Sequence, residues 1–514
     1  MKNNVFRQTK CSPRAHTPVT ASRVTGNTFT GAVAVNGLSC LLVLAALVAC
    51  TGKTSDSSTK PPALSFAAAC QGTTVNPFTQ PPAFVPSLPS SFLPNDGSVQ
   101  VPSTAGPYGY NSFIPGSAGF PAVGGAYTDP IFGGTVRRLT NTVGRPNQED
   151  IYGHHWANAN GSLAFSRILD PLGFSAFNII DTTTGAEIYH NLPLGSSPID
   201  IAWDATDPNR YYYYEGTNLT CRNLAEQRNV VKTFPSPLEA NGGSLNTQDR
   251  SGRYFTVRYG GSNKVWDSQT NRIYTGEVLP LSSTGWVAIT PDGNYLVTAA
   301  GPNNEHYSYA IDHINHSISS APINFWTACQ TDHGALVSAT NGKSYFITFD
   351  CDNSAGIYRV DITLNQTGKT EPEQIAANQL LLPTVSSPVN TNQGHLSAVS
   401  KEGPNQNWVF FDSETLGGDP FVLATTPFVP FLPWQAYEQE IIAMNVVTSE
   451  VRRYAHHRSR GIDSDYHAQP RISCSWDGSI VLWTSNYNTP LPHPSDPLGP
   501  QNDYADMYGM AFSN

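Results

Sequence analysis

Histidine side chains change charge close to neutral pH and serve as base, acid, hydrogen-bond partner or metal ligand. The chain has 13 histidines, and nine of the twelve beyond residue 49 recur in comparable places: His154 and His155, His306, His333, His395, His456 and His457, His467 and His493. Three chemistries suit them. His333 and His395 each open an alternating apolar run, and Gln469 holds the corresponding place in a third. Two imidazoles and an amide oxygen would suit a divalent ion such as manganese or zinc. Alternatively, β-elimination on a uronate needs a base, a cation for the carboxylate and an acid for the departing oxygen. His333 or His395 would be the base, Arg258 the neutraliser and Tyr259 the acid; the plainer reading of Arg258 and Tyr259 is a strand-end pair bonded to neighbouring loops. Finally, His456-His457-Arg458-Ser459-Arg460 could grip an anion, because arginine presents a planar fork of donors, or could tie the chain to Asp463 and Asp465. With His154, His155, His467, Gln469 and Arg471, these residues make up the expected ligand-binding set.

Such dispersed residues act together only if the fold gathers them. Ile472, Cys474 and Trp476 alternate up to Asp477-Gly478, and Ile480, Leu482 and Thr484 alternate away from it, the pattern of a tight antiparallel hairpin. Weaker copies run from Trp286 to Ala300, His333 to Asp350 and His395 to Asp412. Seven turns follow one another, at Asn160-Gly161, Asp207-Pro208, Ser251-Gly252, Asp292-Gly293, Asn341-Gly342, Glu402-Gly403 and Asp477-Gly478, spaced 47, 44, 41, 49, 61 and 75 residues apart. The first intervals match a propeller blade of roughly 40 to 50 residues, and the last two carry insertions. Each unit has room for two further strands, and four strands make a blade. The seventh unit runs out one strand short, while Thr135 to Thr140 is a strand without a hairpin partner.

The expected fold is therefore all-β, a seven-bladed β-propeller over residues 134–514, closed by an N-terminal strand completing the last blade. A two-domain β protein accounts less well for the even early spacing. In a propeller the seven hairpin turns share one face. The histidines, with Arg167, Arg258, Tyr259, Asp350, Asp352, Arg458, Gln469 and Asn486, fall on the other. The insertion from Leu416 to Tyr437 either caps that face or packs over its blade. The four tyrosines Tyr211 to Tyr214 alternate sides of a strand and should pack between blades.

The N-terminus has Lys2, Arg7, Lys10, Arg14 and Arg23, no acid before Asp56, and an apolar run from Leu38 to Ala49 too short to span a bilayer comfortably. Leu47-Val48-Ala49-Cys50 resembles a bacterial lipobox, which implies cleavage of residues 1–49, lipidation of Cys50 and an exported, lipid-anchored envelope protein. Residues 50–106, rich in Ser, Thr and Pro, read as a flexible tether, and residues 107–133 as a glycine and aromatic segment packed on the domain. Without residues 1–49, 24 basic residues face 39 acidic ones, so nucleic acid is excluded as a partner. Cys329 and Cys351 lie at opposite ends of one hairpin and could bridge. The other cysteines read as buried thiols.

The segment Ser475 to Asn486, followed by Tyr504-Ala505-Asp506-Met507-Tyr508, resembles the Ser-x-Asp-Gly repeat of TolB-like propellers. Similar repeats build the oligogalacturonate lyases, and that weaker likeness implies a seven-bladed ring, a divalent metal held by histidines and a glutamine, and lyase activity on an anionic glycan. Where those lyases carry histidines before the final hairpin, this chain has Gln469 and Arg471. The expected ligand is a polar, anionic oligo- or polysaccharide, with a protein partner at the cell envelope as the alternative.

Overall fold

Short side-chain acceptors close the hairpins. In the computed structural model, Asp477 Oδ1 accepts from the Ser479 N–H at 2.9 Å, Asp204 Oδ1 from Asp207 at 2.7 Å, and Asp249 Oδ1 from Tyr254 at 2.8 Å. The turn residue thus holds backbone groups that the strands cannot pair, which leaves that face with little free chemistry. The structure describes residues 87–90, 93, 95–110, 112–142, 148–149, 154–169, 175–192, 194, 199–224, 228–240, 247–279, 286–299, 305–328, 334–349, 356–383, 394–413, 434–459, 469–487 and 505–512.

Seven antiparallel sheets follow in chain order. Blade one carries Leu163–Leu169 and Ser175–Asp181, blade two Ile199–Trp203 to Arg228–Thr233, and blade three Tyr254–Tyr259 and Ser262–Asp267. Blade four is built on His306–Asp312, blade five runs from Ala335–Ser338 to Gln379–Pro383, and blade six from Gly394–Ala398 to Val451–His456. Ser473–Cys474, Ile480–Ser485 and Asp506–Ala511 begin blade seven; Thr135–Arg138 and Ala126–Thr128 extend it. In that sheet Arg137 stands opposite Gly509 and Arg138 opposite Tyr508. A buried ion pair from Arg138 to Asp506, 2.7 Å, links these two strands.

Strands such as Ile480–Ser485 and Trp408–Ser413 are buried at every residue, as sheets stacked between two neighbours require. Tyr211 and Tyr213 pack with Trp156 and Phe165 of blade one, whereas Tyr212 and Tyr214 pack with Phe255 and Val257 of blade three, the alternation the sequence predicts. Comparable clusters join blades three to four, four to five, five to six and six to seven. Ile480, Leu482 and Met507 of blade seven pack with Leu163 and Phe165 of blade one. The apolar contacts therefore run all the way around the ring, and the fold is a seven-bladed β-propeller.

Two expectations change. The tether does not reach residue 106 as free chain, because Leu88, Pro89, Ser98 and Gln100 bond to blade six as parts of a strap. Tyr454 donates its hydroxyl to the Pro89 carbonyl at 2.7 Å, Arg453 Nη2 reaches the Ser98 carbonyl at 3.0 Å, and His456 Nε2 contacts the Gln100 carbonyl at 2.9 Å. Arg452 also donates to the Leu88 carbonyl. A proline-rich strap offers carbonyls without matching N–H groups, and the outer strand of blade six supplies the donors. The second change is that Cys221 is not a thiol but disulfide-bonded. Cys474 is a free, buried thiol, whereas Cys50, Cys329 and Cys351 lie outside the described residues.

Candidate functional site

Blades that are not neighbours can touch only across the central opening. His154, on the inner side of blade one, hydrogen-bonds to the backbone of Gly334, at the entrance to blade five, and feels the charge of His395 at the entrance to blade six. Loss of water around the His154 imidazole lowers its pKa to about 4; the Gly334 bond opposes this shift and His395 adds to it. His154 is neutral at pH 7. Gly334 has no room for a side chain, because a Cβ there would lie 2.2 Å from the Phe346 ring. Gly394, before His395, has φ of 134°, and a Cβ would lie 1.7 Å from the Asp412 carbonyl oxygen.

Asp412 is the residue that the sequence reading missed. It pairs with His395 across the blade-six hairpin and is fully buried. One carboxylate oxygen accepts the His395 backbone N–H and lies 4.0 Å from His395 Nδ1; the other accepts the Ile472 N–H of blade seven at 2.8 Å. Asp412 thereby fixes two blade entrances and stands behind an imidazole that remains 17% exposed. The signal was present in the sequence, because hairpin register places the last residue of His395 to Asp412 opposite the first. His333 and His467 lie outside the described residues.

Several expected ligand-binding residues serve the interior instead. His155, with φ of 56°, turns away from His154 into the wall. Its ring stacks on Trp476 at 4.1 Å, and its nitrogens meet Ser400 Oγ at 2.9 Å and the Cys474 carbonyl at 3.2 Å. His456, fully buried under the strap, lies 3.7 Å from Asp129. His457 is buried against the Ser413 carbonyl at 2.9 Å, and burial lowers its pKa to about 3. Arg458 and Arg471 are buried as well. None of these five side chains lies on an open face. His306 is likewise buried, between Phe325 and Phe346.

The expected elimination set is altered too. Arg258 Nε pairs with Glu239 at 3.2 Å and Nη1 donates to the Ala240 carbonyl at 3.1 Å. The Tyr259 ring packs on Phe234 at 5.5 Å in the interface of blades two and three. The strand-end reading describes this pair; neither residue adjoins blade six. The expected metal site rests partly on His333, outside the described residues. Among the described residues no group of three or more His, Cys, Asp or Glu side chains could hold an ion; Gln469 is half-buried and Arg471 is buried.

The fold is that of a seven-bladed propeller, in which His154 of blade one reaches the backbone at the entrance of blade five. No family model matches the chain, and neither does any curated protein. Among solved structures it is similar to an oligogalacturonate lyase from Vibrio parahaemolyticus, at 12% identity and a TM-score of 0.44 over 75% of this chain and 96% of that one. It is also similar to TolB from Acinetobacter baumannii, at 16% identity and a TM-score of 0.31 over 58% of this chain and 66% of that one.

Proposed function

We propose that the protein is an exported, lipid-anchored propeller that binds a polar, uronate-containing glycan at its axial opening and cleaves it by β-elimination, with His395 as the base. The observation that supports this reading is that His154 of blade one hydrogen-bonds to Gly334 of blade five and lies within electrostatic reach of His395 of blade six. A neutral His154 suits hydrogen bonding to sugar hydroxyls. Asp412, behind His395 Nδ1, favours the protonated imidazole that forms when Nε2 takes the proton beside the uronate carboxylate. The electron pair of that C–H bond becomes the new C=C bond as the glycosidic C–O bond breaks, and the departing oxygen takes its proton from solvent. Arg258 and Tyr259 play no part in this scheme. Export and anchoring at Cys50 rest on the basic N-terminus, the apolar run and the Leu47 to Cys50 motif.

Incubation of the purified protein with uronate-containing and sulfated polysaccharides tests the reading. Ultraviolet-absorbing unsaturated products are expected with the wild type and not with His395→Ala, whose thermal unfolding should match the wild type. Absence of both product and glycan binding would reject the proposal in favour of a scaffold that binds an envelope protein.

A further inference from the structure

Arg458 follows the last strand of blade six and is fully buried. Nη1 donates to the Tyr108 carbonyl at 2.9 Å, and the guanidinium lies over the Phe113 ring, 5.7 Å from its centre. Nε and Nη2 are buried without a hydrogen-bond partner, and Arg458 forms no ion pair with the described residues. An arginine cannot shed its proton, so one carbonyl and one ring face leave a buried charge uncompensated.

The surroundings are rich in donors and short of acceptors. The charge of Arg458 acts on Tyr127, whose hydroxyl is buried without a partner. The Tyr487 hydroxyl is also buried and unpartnered. All three residues surround Phe113: Tyr127 packs on its ring at 5.1 Å and Tyr487 at 6.0 Å, and the two tyrosine rings lie 5.8 Å apart. Asp129, the carboxylate whose charge also reaches Tyr127, is already engaged. Its oxygens accept from the backbone N–H groups of Ile131, Phe132 and His456.

We propose that Arg458, Tyr127 and Tyr487 form an internal anion site between the strap and blades six and seven, which takes a carboxylate or a small inorganic oxyanion. Two guanidinium N–H groups and two phenol O–H groups meet the acceptor oxygens of such an ion, and its charge balances Arg458. The site is separate from the His154 and His395 opening, so His395→Ala leaves it intact.

Thermal unfolding of the full chain, with chloride replaced at constant ionic strength by acetate, sulfate or a monomeric uronate, tests the proposal. At least one of these anions should raise the wild-type Tm saturably, by about 2 °C or more. Response to sulfate identifies a free oxyanion as the ligand; response to acetate or uronate alone identifies a carboxylate. Arg458→Met should abolish the dependence and, at the lowest anion concentration, unfold no earlier than the wild type, because it removes the unbalanced charge. Tyr127→Phe, which keeps the ring, should shift the half-saturating concentration upward by about fivefold, on the order of one hydrogen bond. A wild-type Tm indifferent to all three anions, or identical dependence in Arg458→Met, would overturn the proposal, as would an unchanged midpoint in Tyr127→Phe.

Discussion

The carboxylate of Asp412 stands 4.0 Å from Nδ1 of His395 and also receives the backbone N–H groups of His395 and Ile472. One buried group therefore fixes the backbone beneath a partly exposed imidazole and ties the entrances of blades six and seven. Asp412→Ala leaves those two N–H groups without an acceptor and should cost about 2–5 kcal/mol. Asp412→Asn keeps an acceptor oxygen and should cost less, while removing the charge behind His395. Urea midpoints of the two variants check the order; equal losses would show that an amide oxygen does not replace the carboxylate.

Glu440 and Arg453 are fully buried and paired at 2.5 and 2.7 Å. Burial raises the Glu440 pKa, and the bond to Arg453 opposes that shift. Arg453→Met strands the carboxylate and releases the Ser98 carbonyl of the strap, with an expected loss of about 3–5 kcal/mol. Pairing it with Glu440→Leu should recover most of that loss. A double-mutant cycle on urea unfolding measures the coupling.

Stability should fall on acidification through a defined window. Burial lowers His154 to about 4 and His457 to about 3, both from an ordinary 6.5. Between those values the unfolded chain binds protons that the folded one refuses, so the contribution is complete above pH 6.5 and is lost as pH falls toward 4 and then 3. Unfolding midpoints from pH 7.5 to 3.5 should decline across this range. His457→Gln, which keeps a donor and an acceptor, should decline less steeply; an equal slope would remove His457 from the account.

The two described cysteines should differ in reactivity. Cys221 is disulfide-bonded, so reductant should lower stability by about 2–4 kcal/mol. Cys474 is buried and its thiol pKa is pushed up to about 12 by burial, so it should resist alkylation until the chain unfolds. Mass spectrometry after alkylation, under native and denaturing conditions, reads both.

The ring was legible because its signal is local. Asn160-Gly161 through Asp477-Gly478 mark the hairpins by turn chemistry, and Tyr211 to Tyr214 reveal a strand buried on both faces. The site was legible only in part. Histidines alternate between channel and wall with the backbone, and a single left-handed residue, His155, sends two neighbours to opposite fates. Composition marked residues 87–106 as tether because their partners are donors on a strand more than 300 residues later, at Arg453, Tyr454 and His456. Arg258 looked available because Glu239, its partner, lies in a connecting loop with no pattern of its own.

Binding is the most direct test of the axial opening. Calorimetric titration of an acidic, uronate-containing oligosaccharide into wild type, His154→Ala and His395→Ala should show saturable binding that each substitution weakens about tenfold, about 1.4 kcal/mol, with unfolding midpoints unchanged in His395→Ala. Equal affinity in all three proteins, or no binding by the wild type, would contradict a glycan site formed by imidazoles from separate blades.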